Sequence, residues 1–143
     1  RSYLLMDDHK GYYPYAMQWE WVNAGGFTSD GALIGVNLTR NQSIDADGYN
    51  ENCLWVDGRC HLLPAIRVDQ SDPNTWYVSD SEGRVDLRFD IETESRFDVD
   101  AIVLRSRYWA PFGRLSGRIC PGQGPETQLD GLFGMGEKFY LRC

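Results

Sequence analysis

The 143-residue chain is poor in the features that assign a chemistry at sight. It carries only two histidines, which excludes a histidine-rich metal site. Its four cysteines, Cys53, Cys60, Cys120 and Cys143, are too few at this length for a disulfide scaffold and are expected to be reduced and packed. Lys and Arg total 14 against 21 Asp and Glu, and the net charge of −7 excludes the basic face of a nucleic-acid binder. No apolar run approaches the roughly 18 residues of a membrane span. There is no serine elbow, phosphate-cradling glycine loop or dinucleotide fingerprint, and no cofactor is expected. The opening stretch, RSYLLMDDHK, turns polar too soon for a signal peptide. It also lacks an initiator methionine, so residues 1–143 are expected to be one β domain of a longer chain, with a cytoplasmic location as the default.

What the chain does have is material for strands. Hydrophobic residues make up 42% and aromatics 13%, enough for a core and biased towards β-structure. Alternation of apolar and polar residues dominates. In MQWEWVNA, Met17, Trp19 and Trp21 share one face, while Gln18, Glu20 and Val22 share the other. In ALIGVNLT, Ile34, Val36 and Leu38 line one side, opposite Asn37 and Thr39. RVDLRFDIE is the clearest case, with Val85, Leu87, Phe89 and Ile91 pointing one way and four charged residues the other. FDVDAIVLRSRYW starts by alternation and becomes apolar on both faces at residues 101–104, which reads as a central strand covered on both sides. About nine short strands with turn signals between them predict an all-β fold, an antiparallel lipocalin- or calycin-like barrel or a strongly curved sandwich of about eight to ten strands. The interior of a closed barrel of that size holds side chains or one small ligand.

The stretch YNENCLWVDGRCHLL gathers polar and sulfur ligands around Asp57 and Gly58. Asp-Gly is a two-residue hairpin signal, because a type I′ turn needs positive φ at both central positions. The implied register places Cys53, Trp55, Cys60 and Leu62 on one face and Leu54, Val56, Arg59 and His61 on the other. A zinc site within the hairpin therefore fails. The two cysteines are diagonal neighbours, beyond the usual reach of a disulfide. DADGYNE, at 45–51, does not place glycine and glutamate where an EF-hand needs them. His9 is expected in an exposed loop, and Asn37 and Asn41 begin two glycosylation sequons that matter only in a secreted chain. Glu51 and Asn52, just before the hairpin, are either solvated strand-entry residues or polar groups at a pocket mouth. Glu137, in GMGEKF, sits among small and aromatic residues, where burial would call for a partner such as Arg114.

The ordered set GYYP, WEWVNA, IGVNL, NENCLWVDGRCH, VDLRF, VLRSRYWAPFGRLSG and LDGLFGMGEKFYLR resembles the C-terminal half of domain-of-unknown-function family 2804. That family usually has Thr-Glu-Asn-Ala at the hairpin entrance and a terminal Trp, so Asn50, Cys53 and Cys143 depart from it. The resemblance implies an N-terminal partner domain. It also implies a likeness to two-domain lipocalin-like proteins, a group that includes carotenoid hydratases and some cyclases. It brings no catalytic residues; Trp19, Trp21, Asn37, Glu51, Asn52, Arg114 and Glu137 fall on its motif positions.

Three functions follow as expectations. The first is a lipocalin-like module in which those seven residues line a site for an apolar small molecule. The second is a hydratase, isomerase or cyclase with Glu51 and Glu137 as acid and base. The third is a structural half-barrel that packs on an N-terminal domain or on a second copy of itself.

Overall fold

The computed structural model of the protein describes residues 4–8, 11–41, 45–124 and 126–143; His9 and part of the Asn41 sequon lie outside them. Among the described residues nine strands make one antiparallel sheet: β1 (Ala16–Phe27), β2 (Leu33–Arg40), β3 (Cys53–Val56), β4 (Arg59–Leu62), β5 (Ile66–Asp72), β6 (Thr75–Asp80), β7 (Val85–Asp100), β8 (Arg105–Ile119) and β9 (Thr127–Arg142). Their spatial order is β4-β3-β2-β1-β9-β8-β7-β6-β5. The first and last strands pair with each other, and β4 and β5 occupy opposite edges although only Leu63, Pro64 and Ala65 join them. Three linking residues reach about 14 Å between flanking Cα atoms at most. The two edges are therefore held close, and the sheet must curl into a half-barrel.

The alternation read from sequence decides which face turns inward. Val22, Ala24, Ile34, Val36, Leu38 and Leu54 from one side of the curl meet Trp76, Val78, Leu87, Phe89 and Leu115 from the other in a single buried cluster. Burial of each such side chain stabilises the fold by about 1.5–3 kcal/mol. Trp76 of β6 spans the interior and reaches Gly136 of β9, where an added Cβ would lie 2.6 Å from the indole. Its ring stands 6.0 Å from that of Phe89 and 5.2 Å, edge-on, from that of Trp109. Side chains fill this part of the concave face.

β7, β8 and β9 run for 16, 15 and 16 residues, longer than most strands. They follow the curl through register shifts between Ile91 and Thr93 and between Leu115 and Gly117. Gly113 and Gly134 face each other across β8 and β9. A Cβ on Gly113 would meet the Asp90 carbonyl oxygen at 1.9 Å, so only glycine allows this approach of backbones.

The Asp57–Gly58 hairpin has the expected register, Cys53 to Leu62 and Trp55 to Cys60, with φ of 48° at Asp57 and 80° at Gly58. His61 turns from the cysteines and donates from Nδ1 to the Gln123 carbonyl over 2.8 Å. All four cysteines are free, but only Cys53 is buried; Cys60 and Cys143 are exposed, so the expectation of packed thiols fails for them. A second expectation fails: residues 101–104 do not continue a central strand. They form the turn between β7 and β8, closed by Ala101 N–H to the Leu104 carbonyl at 2.7 Å, with Ile102 99% exposed. An apolar run without Gly, Pro or Asn carries no turn signal, which is why periodicity misplaces it.

Candidate functional site

Register on the convex face builds two rows across adjacent strands. In the first, Thr39 of β2, Trp21 of β1 and Glu137 of β9 stand opposite one another. In the second, Trp19 of β1, Phe139 of β9 and Tyr108 of β8 do the same. The second row is an aromatic stack, with Trp19 4.4 Å from Phe139 and Tyr108 5.8 Å from Phe139, centroid to centroid. Glu137 binds both ends of it: Trp19 donates its indole N–H to Oε1, and Tyr108 donates its hydroxyl to Oε2 over 3.1 Å. Burial, then the Glu137 charge beside it, pushes the Tyr108 phenol up to about 12.

A second chain of bonds fixes the other side. Trp21 donates its indole N–H to Asn37 Oδ1 at 2.7 Å, and Asn37 Nδ2 donates to the Glu51 backbone carbonyl at 2.9 Å. Asn37 thus spends both ends of its amide in tying β1 to the segment ahead of the hairpin. The Glu51 side chain stays exposed.

Between these groups lies a cleft of about 500 Å³. Trp19, Trp21, Asn37, Glu51 and Glu137 line it together with Thr39 and Met17. Asp7, Asp8, Tyr13 and Pro14, ahead of β1, complete the wall with Gln18, Asn41 and Tyr49. Both candidate carboxylates therefore border one cleft. It lies on the convex face, on the far side of the sheet from the packed core. The volume falls within the range of small-molecule sites.

Two of the seven sequence candidates are elsewhere. Asn52 is 1% exposed and acts as a clasp inside the fold. Its Oδ1 accepts from the Thr39 backbone N–H at 2.6 Å, its Nδ2 donates to the Pro64 carbonyl at 2.8 Å, and its own carbonyl accepts from Leu63 N–H. Arg114 does not reach Glu137. It donates to Glu92 Oε1 at 3.1 Å and to the Gly131 carbonyl, with its guanidinium over the ring of Phe133. Phe133, its opposite number on β9, is four residues from Glu137, about 13 Å along a strand. Indole and phenol donors, not an arginine, hold Glu137. Alternation placed Thr39 on a strand face without a role, and nothing in the sequence singled out Tyr108. Their positions within alternating strands mark a face but not which strand lies beside which.

A further cleft of about 440 Å³ opens on the concave side, beyond the apolar core, and includes Glu20, Arg40, Asp98, Arg107, Trp109 and Lys138. Its charges compensate one another, with Arg40 2.9 Å from Glu20 and Arg107 4.0 Å from Asp98. Among the described residues no group of three or more His, Cys, Asp or Glu is arranged to hold a metal ion. Among the described residues no helix is long and apolar enough to cross a membrane.

Comparison with curated proteins and with solved structures finds no match to this chain. A family profile described as a domain of unknown function, DUF2804, matches residues 1–142, and the chain belongs to that family.

Proposed function

We propose that this chain is a small-molecule-binding module whose ligand sits in the convex-face cleft, its apolar body against Trp19, Trp21 and Met17. The observation that supports this reading is the convergence of five sequence-selected residues on one cleft of about 500 Å³. Aromatic walls with a few placed polar groups are the usual composition of such sites. The indole N–H groups are already spent on Glu137 and Asn37, so the rings are fixed in place before a ligand arrives. A preset site loses less side-chain entropy on binding. Intrinsic tryptophan fluorescence and thermal shift with a panel of lipids and terpenoids test it. Saturable quenching that disappears in Trp19→Ala supports the reading, and no response to any panel member defeats it.

A second reading is an acid–base enzyme of hydratase, isomerase or cyclase type. It draws on the presence of both Glu51 and Glu137 at the same cleft, one exposed and the other held by two donors. Different surroundings are what give two carboxylates different roles. Turnover lost in both Glu51→Gln and Glu137→Gln, with the fold intact by circular dichroism, would favour it over simple binding.

A further inference from the structure

β7 is longer than its neighbour on the outer side. β6 pairs with it only from Ser79 opposite Asp86 to Thr75 opposite Asp90, and the Asn74 carbonyl accepts from Ile91 N–H. From Thr93 to Asp100, among the described residues, β7 pairs with β8 alone. Residues 92–98 are exposed without a break. A strand edge presents a row of unpaired N–H and C=O groups, and native sheets blunt such edges. The two ends of this sheet are blunted: β4 has four residues, and β5 loses register between Asp69 and Asp72. The outer edge of β7 is not. It contains no Gly or Pro and keeps unbroken register with β8 from Thr93 to Asp100. Its charges, Glu94, Arg96, Asp98 and Asp100, are each compensated within the sheet.

The side chains on this edge are suited to a copy of themselves. Phe97 stands opposite Tyr108, so the aromatic row of the convex face runs from Trp19 through Phe139 and Tyr108 to Phe97. It stops at the open edge, with Phe97 62% exposed. An antiparallel pair of β7 strands about a two-fold axis overlaps the free stretch best with the axis near its middle, at Arg96 or Phe97. The half-step between these residues would set an outward side chain beside an inward one. An axis at Arg96 sets Glu94 opposite Asp98 and Glu92 opposite Asp100, like charge against like. An axis at Phe97 sets Arg96 opposite Asp98 on both sides, Ser95 opposite Val99 and one Phe97 ring opposite the other. Opposite charges across strands stabilise a pair and like charges oppose it. The one unfavourable pairing about Phe97 joins Glu94 and Asp100, carboxylates that already hold arginines.

We infer that the outer edge of β7 docks a second copy of this chain, the two β7 strands antiparallel about an axis at Phe97. The sheets of the two copies then become one, and their convex aromatic rows join end to end. Main-chain hydrogen bonds along the edge supply affinity, as in other strand additions. The facing phenylalanines and the Arg96–Asp98 pairs fix the register.

Sedimentation equilibrium of the whole chain tests for the dimer. With rising concentration the mass should climb from 16.4 kDa towards twice that value. Phe97→Lys, a change at an exposed side chain, sets two ammonium groups face to face and should weaken association at least about tenfold. Near-ultraviolet circular dichroism shows that the variant is folded. Cross-linking then tests the register, in a background carrying Cys60→Ser, Cys120→Ser and Cys143→Ser. Ser95→Cys and Val99→Cys chains, mixed while dilute and then concentrated with a copper–phenanthroline oxidant, should form a disulfide-linked dimer. Neither should do so alone. A chain that stays at 16.4 kDa at every concentration overturns the proposal and leaves the edge to a strand of another protein. A dimer that Phe97→Lys does not weaken overturns it too, because the contact then lies elsewhere. So does a mixture that fails to cross-link, or either cysteine variant that cross-links by itself.

Discussion

Tyr108 on β8 donates its hydroxyl to Glu137 on β9 over 3.1 Å, so a phenol is held directly against a carboxylate at the rim of the cleft. Burial and that charge raise the phenol to about 12, whereas an unfolded tyrosine ionises near ~10. Between those values the folded chain keeps a proton that the unfolded chain has lost. Stability from this group is complete below the lower value and declines as pH climbs towards the upper one. Tyr108→Phe should remove that part of the alkaline decline. Urea midpoints across this alkaline interval are the measurement, and identical pH slopes for the two proteins would refute the assignment.

Glu51 and Asn52 are neighbours in one motif with opposite duties. Asn52→Ala removes buried bonds to Thr39 N–H and the Pro64 carbonyl and leaves both groups without their partner. It should cost about 2–4 kcal/mol of stability. Glu51→Ala, at an exposed side chain, should stay within about 0.5 kcal/mol while weakening ligand binding. Chemical denaturation of the two variants checks the pair, and equal losses would contradict it.

The cysteines should differ in reactivity for the same kind of reason. Burial first, then Cys60 close by, pushes the Cys53 thiol up to about 12, so almost none of it is thiolate at neutral pH. Cys60 and Cys143 are exposed. Brief alkylation followed by peptide mass spectrometry should label Cys60 and Cys143 and spare Cys53 until the protein is unfolded. Early labelling of Cys53 would show that the hairpin opens readily.

Glycine substitutions separate tight backbones from open ones. Gly113→Ala places a methyl group 1.9 Å from the Asp90 carbonyl oxygen, and no rotamer relieves a clash with backbone. A loss above about 3 kcal/mol, or failure to fold, is expected. Gly35→Ala meets only the Trp55 ring at 3.4 Å and should be neutral or slightly stabilising, by up to about 1 kcal/mol. Thermal melts of the two proteins provide the comparison.

The strands themselves were legible because each buries one face. Val85, Leu87, Phe89 and Ile91 mark the inside of β7 without any knowledge of its neighbours. The hairpin register was legible because Asp57 and Gly58 impose a turn of known length. Strand adjacency was not. Nothing local to Glu137 says that Trp19, 118 residues away, is its donor, or that Arg114 is held by Glu92. Residues 101–104 misled for the converse reason, being an apolar segment at the tip of a hairpin, where solvent surrounds it. Local pattern reports which way a side chain faces, and long-range pairing decides what it meets.

The pairing of β1 with β9 carries a consequence for how the protein forms. Every other ladder joins strands adjacent in the chain, which can zip as successive hairpins. The β1–β9 ladder, from Ala16 with Arg142 to Ala24 with Gly134, has to wait for the two strands farthest apart in sequence to meet. Loop-closure entropy makes such a step the slow one. It is also the step that brings Trp19 and Trp21 alongside Glu137, so the convex cleft comes into being last. Relabelled from β5 onward and wrapped round to β4, the sheet is a plain meander whose start has been moved to its middle. A chain rejoined between Cys143 and Tyr15, already bonded backbone to backbone at 3.1 Å, and reopened at Pro64 would turn the slowest closure into one more hairpin.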